Sequence, residues 1–436
     1  MNLFAALIAA AAIGGAYPSQ DALPRKPSFG VQMTAAQGGV SLTTVFAGST
    51  AEGAGLKPGD VITKVNGAAI AAPNQVMPAL SALKLGDKFD IEYRRGDAEK
   101  KVSATLKERP RDKGANYEVI YDHVVTNGYR VRTMISKPTA PGKRPVFFVI
   151  QGLGNFSMDT PLFTGPYGKF LEAFNADGYV TVQVDKPGQG DSEGGATADV
   201  DFDRELDCYR QALKAVKRYP FVDPDRIYIF GHSMGGLFGP IVAAEEKVAG
   251  LAVYGTVCKT WTEYWLENVR RQDALGGMTW SQVHEHSQRL SAFIHYFVGE
   301  KKTPEEIVKL RPDLKATVDE NSPDGKTWAT RTFSFWWQLN SKNLPEIWSK
   351  VDSNVLAMWG ENEWISTRED HPLIAEIVNL THPGKGKFVL VESSDHGFFR
   401  STSVKDSFTR YGRPGSEFNP RVIELLKQWI AEIEKR

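Results

Sequence analysis

The chain has 436 residues, enough for two or three domains with a sizeable core. Lysine plus arginine and aspartate plus glutamate balance at 52 each, and no basic stripe is present, which argues against a nucleic-acid partner. Two cysteines, Cys208 and Cys258, fit neither a zinc pattern nor a disulfide framework and read as buried thiols.

The chain starts with an apolar run from Leu3 to Ala16, of signal-peptide size and too short to span a membrane comfortably. Gly14-Gly15-Ala16 offers small residues for cleavage, although no lysine or arginine precedes the run. The expectation is export, to the periplasm or outside the cell, with no stable membrane span. Residues 17–27 hold three prolines and read as the rest of a signal-like segment and linker, 1–27. Short β segments with glycine turns follow at Phe29–Met33 and Val40–Phe46, then the run Ala51–Gly67, a helix near Asn74–Leu83 and strands Phe89–Arg94 and Lys101–Leu106. Pro58-Gly59-Asp60 is a turn with preset φ, and Asn66-Gly67 suits a hairpin.

The run Ala54-Gly55-Leu56-Lys57-Pro58-Gly59-Asp60 through Asn66-Gly67 closely resembles PDZ domains of the bacterial periplasmic protease type, and the resemblance covers residues 28–108. It implies capture of an extended peptide, a protein C-terminus, by strand addition. It also implies a carboxylate loop at Ser28-Phe29-Gly30-Val31, with Phe29, Gly30 and Val31 as peptide-binding residues. A spacer or lid is the alternative role.

A second linker, 107–116, leads into a different pattern. Tyr117–Val125 and Tyr129–Ser136 alternate around Asn127-Gly128 and predict a hairpin. Continuous apolar runs follow at Val146–Ile150, Tyr179–Val184, Ile227–Phe230, Leu251–Tyr254, Asn354–Trp359 and Lys387–Val391. Runs of this kind read as strands buried on both faces. Helical patterns lie between them at Gly168–Ala176 and Phe202–Tyr219, and a terminal helix at Asn419–Lys435. The fold class expected is α/β, a doubly wound, mostly parallel sheet preceded by a small β-rich domain. Residues from about 261 to 348 break the alternation; they show helical patterns, no clear strand, and seven of the ten tryptophans, as an inserted cap would.

The chemistry is concentrated in Gly231-His232-Ser233-Met234-Gly235, directly after the strand Ile227–Phe230. A sharp strand-to-helix turn of this form thrusts a serine hydroxyl into a cleft, and its glycines leave the room the turn needs. Serine requires a base and an orienting acid. His396, in Asp395-His396-Gly397 after the last strand, is the expected base. Glu363, three residues after Gly360, is the expected acid, with Asp370 and then Glu361 as alternatives.

Strand, serine, acid and histidine in this order resemble the α/β-hydrolase family over residues 117–436, its esterase and prolyl-oligopeptidase-like serine hydrolases. The resemblance implies an oxyanion hole from the N–H groups of Met234 and Leu153, in Gln151-Gly152-Leu153-Gly154, with Gly154 also open for the second donor. It implies a carboxylic ester hydrolase working through an acyl-enzyme, or a serine peptidase fed by the PDZ domain. A non-catalytic scaffold is the third reading. Asp185–Ser192 reads as a structural loop. His284-Glu285-His286 does not project onto one helix face, so no metal is expected. With no P-loop and no dinucleotide fingerprint, no cofactor is expected either.

Overall fold

The structure, a computed structural model, describes residues 23–159, 165–413 and 415–435. The signal-like run at 3–16 lies outside the described residues. Among the described residues, no helix is long and apolar enough to cross a membrane.

The larger unit is built on eight strands: β1 (Tyr117–Thr126), β2 (Tyr129–Pro138), β3 (Arg144–Ile150), β4 (Val180–Val184), β5 (Val222–His232), β6 (Gly250–Tyr254), β7 (Asn354–Gly360) and β8 (Gly386–Val391). Their order in the sheet is β8-β7-β6-β5-β3-β4-β2-β1. Strands β3 to β8 run parallel, while β1 and β2 form the antiparallel hairpin predicted at Asn127-Gly128. Both turn residues have positive φ, +48° and +79°, as a two-residue hairpin turn requires.

Side chains alternate across a strand, so the apolar runs feed two cores at once. Val146, Phe148, Ile227, Ile229, Leu251 and Val253 point to one face. Helices α2 (Phe202–Val216), α3 (Gly235–Glu245) and α4 (Asp370–Thr381) cover them. Phe147, Val149, Tyr228, Phe230, Leu356 and Met358 point to the other, under α1 (Pro166–Ala176) and α5 (Arg421–Glu434). This is the doubly wound, mostly parallel sheet expected from the sequence.

The cap, between β6 and β7, is helical at Trp261–Gly276, Trp280–Ile294, Phe333–Asn340 and Leu344–Ser349. It also contains one short hairpin, Thr327–Trp328 with Arg331–Thr332. Two residues per strand are too few to show alternation, so the sequence pattern passed over it. Trp328 and Trp336 are fully buried among the rings of the cap, Trp348 is buried where Leu344–Ser349 packs on α3 and α4, and Trp280 is 68% exposed.

The N-terminal unit is a β sheet of Val31–Ala36, Gly39–Val45, Val61–Val65, Lys88–Arg95 and Ala98–Thr105, with Val31–Ala36 on the edge. The single strand expected over Phe29–Met33 is broken at Gly30. That residue has φ +74°, and a Cβ there would lie 2.3 Å from the Cβ of Ser49. Phe29 therefore turns into the core, edge-on to Phe89 at 6.2 Å.

The chain enters and leaves this unit at one point. Pro27–Ser28 pair with Lys107–Glu108, and the Arg109 N–H donates to the Lys26 carbonyl. Residues 23–26, expected within a linker, are instead packed against the larger unit. The Arg25 guanidinium lies 2.7 Å from both Asp159 and Asp191 and 4.1 Å from the centre of the Tyr121 ring. Two buried carboxylates and an aromatic face are what let a charge sit there.

Candidate active site

Strand β5 ends at His232 and α3 begins at Gly235, so Ser233 sits in the turn between them with φ +54°. An L residue is strained in that conformation. The glycines make the turn sterically feasible: a Cβ on Gly231 would lie 2.5 Å from the Gly235 carbonyl oxygen, and one on Gly235 2.1 Å from that of Ile150. The Ser233 N–H is fixed by the Tyr254 carbonyl at 2.9 Å. Met234 follows at the head of α3, where the first N–H groups lack intrahelical acceptors.

His396 and Glu363 meet on the loops after β8 and β7. The His396 Nδ1–H donates to Glu363 Oε2 at 2.8 Å, with both side chains buried. Glu363 Oε1 accepts the N–H groups of Ile365 and Ser366 at 2.9 and 3.0 Å, which fixes the carboxylate plane. Gly255 leaves the space this pair fills; a Cβ on it would lie 2.8 Å from His396 Nδ1. The alternative acids lie elsewhere. Asp370 accepts from Cys258 N and the Thr367 hydroxyl and pairs with Lys259, and Glu361 accepts from Ser393 N.

Four buried groups that the sequence reading left without a role hold these loops. Asp395 Oδ1 accepts from the N–H groups of Gly397 and Phe399, both at 2.8 Å, closing a tight turn around His396. The Tyr254 hydroxyl donates to the Asp395 carbonyl at 2.7 Å. The Gly152 N–H donates to the Tyr167 hydroxyl at 3.0 Å, so the hydroxyl proton goes on to His232 Nδ1 at 2.6 Å. That leaves the His232 proton on Nε2, which donates to the His396 carbonyl at 2.9 Å. Burial, with His396 nearby, pushes the His232 pKa well below the usual value, which keeps the ring neutral in this chain of bonds. His232 was visible between the glycine and serine of the turn, but nothing in the sequence says which way its ring points.

Ser233, His396, Gly152, Leu153 and Gly154 line one cavity of about 490 Å³. Trp261, Tyr264, Trp265, Phe156, Phe399 and Tyr411 form its aromatic walls, so two of the seven cap tryptophans face it. No aspartate, glutamate, lysine or arginine lines it among the described residues. A larger cavity, about 840 Å³, lies at the junction around Arg109 to Lys113, away from this cluster. Of the remaining sequence candidates, His286 pairs with Asp273 of the neighbouring cap helix at 2.6 Å. Ser192 accepts the Arg132 N–H within the buried loop 185–192. Phe29 borders a cavity of about 590 Å³ beside Met77, Pro78 and Leu80, while Gly30 and Val31 lie at the start of the edge strand.

The sheet order and the serine turn at the end of its fifth strand define a serine hydrolase domain of the α/β-hydrolase fold, preceded by a PDZ domain. Residues 27–106 match the PDZ domain family, and residues 163–312 match the family described as serine aminopeptidase, S33. The chain is 31% identical over 133 residues to the uncharacterized peptidase YtmA of Bacillus subtilis (strain 168), covering 30% of this chain and 46% of that protein. It is 35% identical over 85 residues to a probable periplasmic serine endoprotease, DegP-like, of Marinomonas sp. (strain MWYL1), covering 20% of this chain and 18% of that protein. Both matches span less than half of the relative's length. Among solved structures, Est1E from Butyrivibrio proteoclasticus with ferulic acid bound is 18% identical with TM-score 0.46, covering 72% of this chain and 99% of that one.

Proposed function

We propose that the hydrolase domain cleaves carboxylic esters through an acyl-enzyme on Ser233. The observation that carries this reading is the buried His396–Glu363 pair, at 2.8 Å, bordering the cavity that Ser233 also lines. Ser233 Oγ attacks the ester carbonyl carbon while His396 Nε2 takes its proton, and Glu363 stabilises the imidazolium. Negative charge develops on the carbonyl oxygen and meets the N–H groups of Met234 and Leu153. The imidazolium then protonates the departing alkoxide. Water, activated by the same imidazole, releases the acid.

The walls favour an ester over a peptide. An aminopeptidase must hold an α-ammonium group, and this lining offers aromatic faces but, among the described residues, no carboxylate to pair with that charge. An ester with an apolar or aromatic group has no such need. The PDZ domain and the match to the serine aminopeptidase family support the second reading, a peptidase whose substrate is recruited by its C-terminus. Parallel assays of p-nitrophenyl esters and of aminoacyl and prolyl anilides separate the two; fast ester turnover with inert anilides is the expected result, and the reverse overturns it. Export is part of the proposal, supported by the apolar run at 3–16 and the likeness of an 85-residue stretch to a probable periplasmic serine endoprotease. Cell fractionation tests it.

A further inference from the structure

Behind the loop Gly152-Leu153-Gly154 sit three charged side chains with no solvent exposure: Lys186 after β4, Glu205 on α2 and Arg331 on the cap hairpin. Glu205 pairs with both cations, at 3.0 Å to Lys186 and 3.2 Å to Arg331. Each cation also donates to one carbonyl of the loop. Lys186 Nζ donates to Gly152 O at 2.5 Å, and Arg331 donates to Leu153 O at 3.0 Å and to Thr197 O at 2.9 Å.

A peptide unit is planar and trans, so its C=O and N–H point in opposite directions. Drawing the Gly152 carbonyl toward Lys186 turns the Leu153 N–H the other way, toward the cavity that Leu153 and Ser233 share. Drawing the Leu153 carbonyl toward Arg331 does the same for the Gly154 N–H. The Gly152 N–H is already taken by Tyr167. The two N–H groups left are the two that the sequence offered as partners of Met234.

Arg331 reaches this position on a strained turn. Ala329 and Thr330, between the paired Trp328 and Arg331, have φ +43° and +68°. Two adjacent positions of this kind normally carry asparagine and glycine. The strain is held by the Trp336 indole N–H, which donates to the Trp328 carbonyl at 2.7 Å, and by Thr332, which caps the next helix.

We infer that Lys186 and Arg331 are positioning residues for the oxyanion hole, so that the cap supplies part of its geometry as well as a wall of the cavity. The inference rests on the reading of Ser233 as nucleophile. The interaction is back-side and charge-assisted, and it orients the donors before substrate arrives. Burial, only partly offset by Glu205, pushes the Lys186 pKa down to about 8, in keeping with its dry setting.

The test uses the full chain and three measurements on wild type, Arg331→Met, Arg331→Lys and Lys186→Met. These are kcat and KM for p-nitrophenyl acetate, the inhibition constant of an aryl trifluoromethyl ketone, and the extent of labelling by a fluorophosphonate. Arg331→Met is made also in an Ala329→Asn/Thr330→Gly background, which suits the hairpin turn and offsets lost stability. The expected result is a fall in kcat of about 100-fold with KM within about threefold, ketone affinity falling in step with kcat, and partial recovery in Arg331→Lys. A folded Arg331→Met enzyme with unchanged kcat and ketone affinity overturns the inference, while labelling of wild type at Ser233 keeps the nucleophile reading. Equal loss of substrate and ketone binding also overturns it, because that is the mark of a merely structural role. Wild type that neither labels nor turns over removes both.

Discussion

The two binding regions of this chain are built on opposite principles. The PDZ unit is open: its edge strand, Val31–Ala36, has a free side in the sheet, and a separate cavity is walled by Phe29, Met77, Pro78 and Leu80. A peptide added as a strand at such an edge would exchange water for main-chain bonds and stay free to depart. The hydrolase cleft has aromatic walls, and the loops that carry His396, His232 and Gly152–Gly154 are tied from behind by buried polar groups. Asp395 closes the His396 turn, Tyr167 links Gly152 to His232, and Arg331 and Lys186 hold the 152–154 loop. A recognition surface tolerates adjustment, whereas a reacting centre loses rate when its donors move by about 1 Å. The ion pairs of Arg25 and Arg109 with Asp191, at the point where the two units meet, join one to the other.

The contrast is broken most decisively at Ser233. Ser233→Ala should lower kcat for a p-nitrophenyl ester by about 10⁵-fold or more in a steady-state assay. Wild-type-like turnover would move the chemistry elsewhere. Next comes the acid: Glu363→Gln should cost about 10⁴-fold by forcing the wrong hydrogen-bonding partner on His396. Asp370→Asn should cost little in kcat, and the opposite ranking would reassign the acid.

Two further changes sharpen the contrast through stability. Arg25→Ala leaves Asp159 buried without its cation, while Asp191 keeps Arg132, and should destabilise the hydrolase domain by about 3 kcal/mol in urea melts. Asp185 gives a pH signature. Its carboxyl accepts from Ser157 and Met158 N, yet burial outweighs these bonds and pushes its pKa up to about 6. Between about pH 4 and 6 the folded state keeps a proton that the unfolded state has released. This carboxyl's contribution to stability is therefore present at low pH and lost as pH rises through 6. The stability difference between wild type and Asp185→Asn should shrink by up to about 3 kcal/mol across that window. A difference independent of pH would contradict the shift.

The smallest expected effect is at the PDZ domain. Because Ser28 and Lys107 are paired, residues 28–107 can be replaced by Asn-Gly, leaving Arg25 and Arg109 in place. Small-ester kcat/KM should be unchanged. A collapse would make the domain a structural part of the cleft and blur the contrast.

The fold was legible where periodicity carries it. The apolar runs at Val146–Ile150 and Ile227–Phe230 fill both faces of one sheet, and the Asn-Gly turns form where they were expected. The serine turn was legible because its glycines are demanded by close backbone approaches. What stayed hidden was long-range and polar. Arg25 and Asp191 are 166 residues apart, and Arg331 and Leu153 are 178. No local pattern connects such residues, so Arg25 looked like linker and Arg331 carried no signal within the cap. The tryptophans divide between the two roles open to them: Trp261 and Trp265 face the cleft, while Trp328 and Trp336 are buried among the other rings of the cap.

The most direct test of the central claim is to label the full chain with a biotinylated fluorophosphonate, digest it, and sequence the tagged peptide by mass spectrometry. Ser233 as nucleophile predicts a single adduct on the peptide containing Gly231-His232-Ser233-Met234-Gly235, formed more slowly in Glu363→Gln. An adduct at another serine, or a wild-type chain that stays unlabelled, would contradict it.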